Sequence, residues 1–220
     1  MYEDITRNIR EILAELPPDV TLEAAVKKRQ LAEILAAIEA GVKIIGHNYL
    51  SEAEQTYPLI GEKAEWHFIG KLQSNKCKKI VRLFSVVETV DSFEIASELN
   101  RRAAEIDKVL SVFIEINSGR EEQKSGVLPE DTVELAKRVS GLSNLRLSGL
   151  MTMGPALEDP DELRSVFRLT KNKFDEIAAM GLPNTELKFL SMGMSGSYKV
   201  AVQEGTNLVR LGTRIFGPRP

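Results

Sequence analysis

The chain has 220 residues, 43% of them hydrophobic, and a formal net charge of −3 from 29 basic and 32 acidic side chains. That apolar content supports a buried core and excludes wholesale disorder, and the near-balanced charge, without a long basic block, speaks against nucleic-acid binding as the main task. The single cysteine, Cys77, excludes a disulfide framework and a cysteine-based zinc site, and no apolar run approaches the ~18 residues of a membrane span.

Helical periods and short apolar runs alternate along the chain. YEDITRNIREILAEL reads as an amphipathic helix with Ile5, Ile9, Ile12, Leu13 and Leu16 on one side, ended by Pro17-Pro18. VTLEAAV (20–26) is the first expected strand, QLAEILAAIEAG a helix with Gly41 at its C-terminal cap, and VKIIG (42–46) the second strand. A helix near 50–60 precedes EWHFIG (65–70), the third strand. SNKCKKIVRLF is helical, SVVETV (85–90) is the fourth strand, and Asp91 and Ser92 can cap the helix through EIASELNRRAAEI. VLSVFIEIN (109–117) is the fifth strand, and PEDTVELAKRVSGL puts Pro129 at a helix start. LRLSGLMTM (145–153), a helix over 160–180, ELKFLSM (186–192), a short helix over 196–204 and NLVRLG (207–212) complete the pattern. Eight strands, each followed by a helix, with one leading helix, predict a single (β/α)8 TIM barrel over 1–220; an open doubly wound sheet is the structural alternative.

The chemistry of such a barrel sits at the C-terminal ends of its strands. There lie Val26-Lys27-Lys28, GHNY, WHFIGKLQSNK, INSGREEQKSG, MTMGP, SMGMS and VRLGTRIFG. Alternation aims Glu23 and Lys27 at the barrel axis and Lys28 away from it. Lys27 is then either a solvated strand-end lysine or an imine-forming lysine with cationic neighbours. Gly193, Ser195 and Gly196 follow strand 7, and Gly212 and Thr213 follow strand 8, where barrels often bind phosphate through loop N–H groups and a short helix start. Arg210 shares the inward face; its acceptor is either Glu23 or an aromatic nitrogen of a ligand. The inward Glu23 lacks an evident partner. His67 reads as a core histidine, His47 is open to either role, and one cysteine with two histidines implies no metal site.

WHFIGKLQSNK, GLMTMGP, LSMGMS, VRLGTRIFG and INSGREEQKSG together resemble the motifs of the pyridoxal phosphate (PLP) homeostasis protein family, and the resemblance covers nearly the whole chain. It implies a barrel like the N-terminal domain of alanine racemase. It also implies that Lys27 forms the aldimine with PLP, that Ser195, Gly212 and Thr213 contact the phosphate, that Arg210 faces the pyridine nitrogen, and that Asn48 and Met194 lie beside the cofactor. The chain departs from the family pattern at Glu23 (usually apolar), at Val26, Lys28, Arg29 and Gln30 around the lysine, at His47 (usually glutamate) and at Ser197 (commonly aspartate).

The implied function is a cytoplasmic, monomeric PLP carrier that contributes to vitamin B6 homeostasis. Apoenzymes are its possible recipients, with no nucleic-acid or membrane partner and no rapid turnover. The alternatives are a PLP-dependent amino-acid racemase, for whose second domain a chain ending at Pro220 leaves no room, and a sugar-phosphate aldolase or isomerase.

Overall fold

The computed structural model describes residues 2–155 and 159–218. Its strands are β1 (Thr21–Ala25), β2 (Ile44–His47), β3 (Glu65–Phe68), β4 (Val86–Val90), β5 (Leu110–Glu115), β6 (Leu145–Met151), β7 (Thr185–Ser191) and β8 (Leu208–Leu211). They pair in parallel in chain order, and β8 closes on β1, with Glu23 opposite Arg210. The expected barrel is therefore the observed one, and the open sheet is not. The helices are α1 (Glu3–Glu15), α2 (Leu31–Glu39), α3 (Leu50–Ile60), α4 (Cys77–Leu83), α5 (Phe93–Ala104), α6 (Thr132–Ser140), α7 (Pro160–Ala179), α8 (Tyr198–Gln203) and α9 (Thr213–Phe216). No described helix is long and apolar enough to cross a membrane.

Alternation along each strand divides the core. Leu22, Ala24 and Val26 join the large apolar layer between sheet and helices, whereas Ile44, Val86, Phe113, Met151 and Leu208 pack against Phe189 inside the barrel. The lower interior is thus apolar, and the polar residues sit above it. Bulges in β4 between Val87 and Val90, and in β5–β6 between Val112 and Phe113, adjust the register on one side of the barrel.

The leading helix is held by its apolar stripe. Ile5, Ile9 and Ile12 are buried, each worth about 1.5–3 kcal/mol of transfer free energy. Asn8 Nδ2 adds a 2.9 Å hydrogen bond to the Ile215 carbonyl. Leu13 departs from the expected stripe: it is 41% exposed, at the rim of the helix contact. Two cap assignments also change. Ser92 alone caps α5, accepting from the Ile95 N–H at 3.5 Å. Pro129 does not begin α6. It lies in a turn closed by Asp131 N–H to the Leu128 carbonyl, with Asp131 at the N-cap.

Candidate functional site

The β1–α2 turn decides where its three cations go. Lys27 is half-buried, with Nζ 4.9 Å from the centroid of the Tyr49 ring. Lys28 takes a left-handed backbone conformation (φ 59°), and its N–H faces the Glu52 carboxylate at 3.3 Å. Its side chain is exposed, so the turn separates Lys27 from Lys28. Arg29 folds back: its guanidinium donates to the carbonyls of Phe216 and Gly217 and lies 3.5 Å from Glu33. Val26-Lys27-Lys28-Arg29 is therefore anchored to the C-terminal end of α9.

The loops after β7 and β8 meet. Ser195 Oγ accepts from the Arg214 N–H at 3.1 Å, joining one loop to the first turn of α9. Met194 closes the same β7–α8 loop, its carbonyl accepting from the N–H groups of Ser197 and Tyr198 at 2.8 Å, while its own N–H donates to Ser197 Oγ at 3.1 Å. Ser197, where an aspartate is common, thus still caps this loop. Gly193 has φ 91°, and a Cβ there would lie 2.7 Å from Ala201 Cβ, so the close approach of this loop to α8 requires glycine. Gly212 packs beside the Ala25 carbonyl, bringing Thr213, which is exposed, to the end of β1. Asn48, half-buried, donates through Nδ2 to the Ile69 carbonyl at 3.3 Å. The structure gathers Lys27, Gly212 and Thr213 at the β1–β8 edge, Met194 and Ser195 beside them, and Asn48 on the neighbouring β2 end.

Arg210 projects beneath this rim and is 3% exposed. It donates to Ser191 Oγ and, at 2.8 Å, to the Thr152 carbonyl; Glu88 lies 3.7 Å away. Its ion-pair partner is therefore Glu88, not Glu23. A guanidinium has five N–H donors, so donors remain for an acceptor above it. Glu88 also accepts from Ser191 Oγ at 2.7 Å and pairs with His67 Nδ1 at 2.6 Å. Burial would push the Glu88 carboxyl up, but the His67 hydrogen bond, the His67 charge and Arg210 hold it down at about 2. Burial would likewise lower the His67 imidazole, yet Glu65, Glu88 and Glu23 together raise it to about 10. His67 is thus a charged core histidine.

Glu23, left without a partner in the sequence, enters the same cluster. It is fully buried, 3.7 Å from His67 Nδ1, and neither carboxyl oxygen accepts a hydrogen bond from a described residue. Burial and the neighbouring Glu88 charge raise its carboxyl well above the ordinary 4.5, against the smaller pull of His67 and Arg210. Glu23 is accordingly the neutral member, able to donate its proton to Glu88. Donor atoms of Glu23, His67 and Glu88 lie within 4.8 Å of one another. That spacing suits a metal, but the donor set does not: the imidazolium has no free lone pair on Nδ1, and Arg210 beside Glu88 opposes another cation.

His47 points the other way, into the helix layer. It stacks on Trp66 at 5.0 Å, and burial lowers its imidazole to about 4, so it is an uncharged packing residue. Sequence reading passed over Glu88 and Glu115, although inward alternation from Val86 and Phe113 marks both. Nothing local marks Ser191 or the Thr152 carbonyl, because their role depends on β6, β7 and β8 meeting.

The sequence profile of the family described as "Alanine racemase, N-terminal domain" matches residues 2–220. A pyridoxal phosphate homeostasis protein of Aquifex aeolicus is 39% identical over 180 residues, covering 81% of this chain and 78% of its own. That of Haemophilus influenzae is 37% identical, covering 91% and 85%. Among solved structures, PipY of Synechococcus elongatus with PLP bound has 31% identity and a TM-score of 0.88, covering 97% of this chain and 100% of its own. An alanine racemase of Clostridium difficile, at 17% identity and TM-score 0.86, shares the fold over 57% of its length.

Proposed function

Because the chain belongs to the pyridoxal phosphate homeostasis protein family, built on the alanine racemase N-terminal domain, we propose that it binds PLP at the β7–β8–β1 rim and serves intracellular vitamin B6 homeostasis as a carrier. The observation that carries this reading is that three donor types gather at one rim, each suited to a different feature of PLP. Lys27 offers an amine to the aldehyde. Ser195, Gly212 and Thr213 offer hydroxyls and a close backbone approach to the phosphate. Arg210 offers its remaining N–H groups to the ring nitrogen from below. Asn48 and Met194 flank the same rim.

Bound PLP supplies an aldehyde that joins amines reversibly and a ring that accepts electrons when its nitrogen is protonated. Arg210 works against the second property. It is a fixed cation, so it would donate to the ring nitrogen and oppose a further positive charge there. Glu88, held ionised by His67, fixes Arg210 in that position. Holding, rather than fast turnover as in a racemase, is what these residues favour. The proposal extends to one barrel domain over 1–220, a cytoplasmic monomer, and PLP-dependent apoenzymes as recipients.

Addition of PLP to the purified protein is expected to produce a long-wavelength absorbance band. The Ser195→Ala, Thr213→Ala double variant should hold PLP about tenfold more weakly or worse, since each charge-assisted hydrogen bond contributes about 1.5–3 kcal/mol. Non-phosphorylated pyridoxal should bind both proteins alike. The absence of a band, or equal PLP affinity in the two proteins, would remove the basis of the assignment.

A further inference from the structure

A cavity of about 160 Å³ opens at the ends of β3, β4 and β5. Lys71, Thr89, Glu115, Lys124 and Ser125 line it, and Asn48 is the one lining residue it shares with the proposed cofactor set. Glu115 is 6% exposed, and no described residue donates a hydrogen bond to its carboxylate. The other polar side chains are engaged or at the rim. Thr89 Oγ donates to the Gly70 carbonyl at 2.7 Å, and Lys124 is taken up by Glu121 and the Gly154 carbonyl. Lys71 is exposed at the rim and acts on Glu115 only through its charge.

A buried carboxylate without a donor is an incomplete site. The charged groups around it come from several elements: Glu88 and Asp91 from the β4 strand and its end, Lys71 after β3, Arg210 on β8 and Lys124 in the β5–α6 loop. Burial and the Asp91 charge raise the Glu115 carboxyl to about 7, against the pull of Arg210 and Lys71. The inner end of the cavity therefore lacks a compact cation with several donors, which describes a primary ammonium group. The rim offers the opposite charge on Lys71. At about 30 Å³ per water the cavity holds roughly five water volumes, enough for a small α-amino acid but not for a large aromatic one.

We propose that this cavity binds a small free α-amino acid without covalent chemistry, its ammonium on Glu115 and its carboxylate toward Lys71. The site does not depend on the cofactor reading and is tested on protein carrying no PLP. Titration calorimetry at about pH 8 with L-alanine should show saturable binding. Glu115→Gln, which keeps the shape and removes the charge, should weaken it by about tenfold or more. Lys71→Met should reduce L-alanine to the affinity of ethylamine, and propionate should not bind. Binding should weaken between about pH 8 and pH 6 as the carboxylate takes up a proton. Circular dichroism checks that both variants remain folded. No heat with L-alanine at about pH 8, equal affinity in folded Glu115→Gln, or equal binding of propionate would each overturn the proposal. Displacement of L-alanine by potassium chloride more strongly than by the same concentration of tetramethylammonium chloride would do so too, by making the site one for a simple cation.

Discussion

The Glu23 carboxyl is fully buried, and its acidity couples the barrel interior to pH. Burial and the Glu88 charge raise it above the ordinary 4.5, so between that value and its higher folded value the native chain binds more protons than the unfolded one. Stability conferred by this group is complete below about pH 4.5 and is lost progressively as pH rises. Glu23→Gln retains a donor toward Glu88 and removes the ionisation. The variant should therefore melt above the parent by about 2–4 °C near pH 8, with a smaller gap near pH 5. Thermal unfolding across this range is the check, and a gap that does not change with pH would contradict a neutral Glu23. His67 contributes in the same direction: its imidazolium, raised to about 10, is stabilising below the ordinary 6.5 and loses that contribution as pH climbs toward 10.

Paired strands explain how such a group fits. Gly46 on β2 faces Glu23 on β1, and a Cβ at Gly46 would lie 1.8 Å from Glu23 Oε1 and 2.8 Å from Ile69 Cδ1. Gly46→Ala should accordingly lose about 1–3 kcal/mol through overpacking, and Glu23→Ala in the same chain should recover part of it. Strictly additive losses in a denaturant double-mutant cycle would show that the two positions do not share this space. At the level of elements the sequence was largely legible, because parallel strands buried on both faces are short apolar runs and glycines and prolines punctuate them. The misreadings have local causes. Pro129 resembles a first-turn proline but belongs to the turn that precedes Asp131, and Leu13 shares the apolar spacing of α1 without reaching the core. The inward phase of Glu23 and Arg210 was also readable. Their partners were not, since Glu88 and His67 reach them only when β3 and β4 curve round to face β8 and β1.

Closure of the barrel brings residues far apart in sequence to one rim. Lys27 follows β1 and the loops of Ser195 and Thr213 follow β7 and β8, yet β1 and β8 are neighbours because the sheet returns on itself. Arg29 and Gly212 reinforce that seam, one by binding the carbonyls at the C-terminal end of α9 and the other by packing against Ala25. Lys27 is thereby the half-buried lysine at the seam, whereas Lys28 and Lys71 are exposed. Reduction of the PLP-loaded protein with borohydride, followed by peptide mapping, tests the central claim most directly. The expected result is a single pyridoxyl adduct on Lys27, lost in Lys27→Ala; an adduct on Lys28 or Lys71, or undiminished labelling of Lys27→Ala, would contradict it.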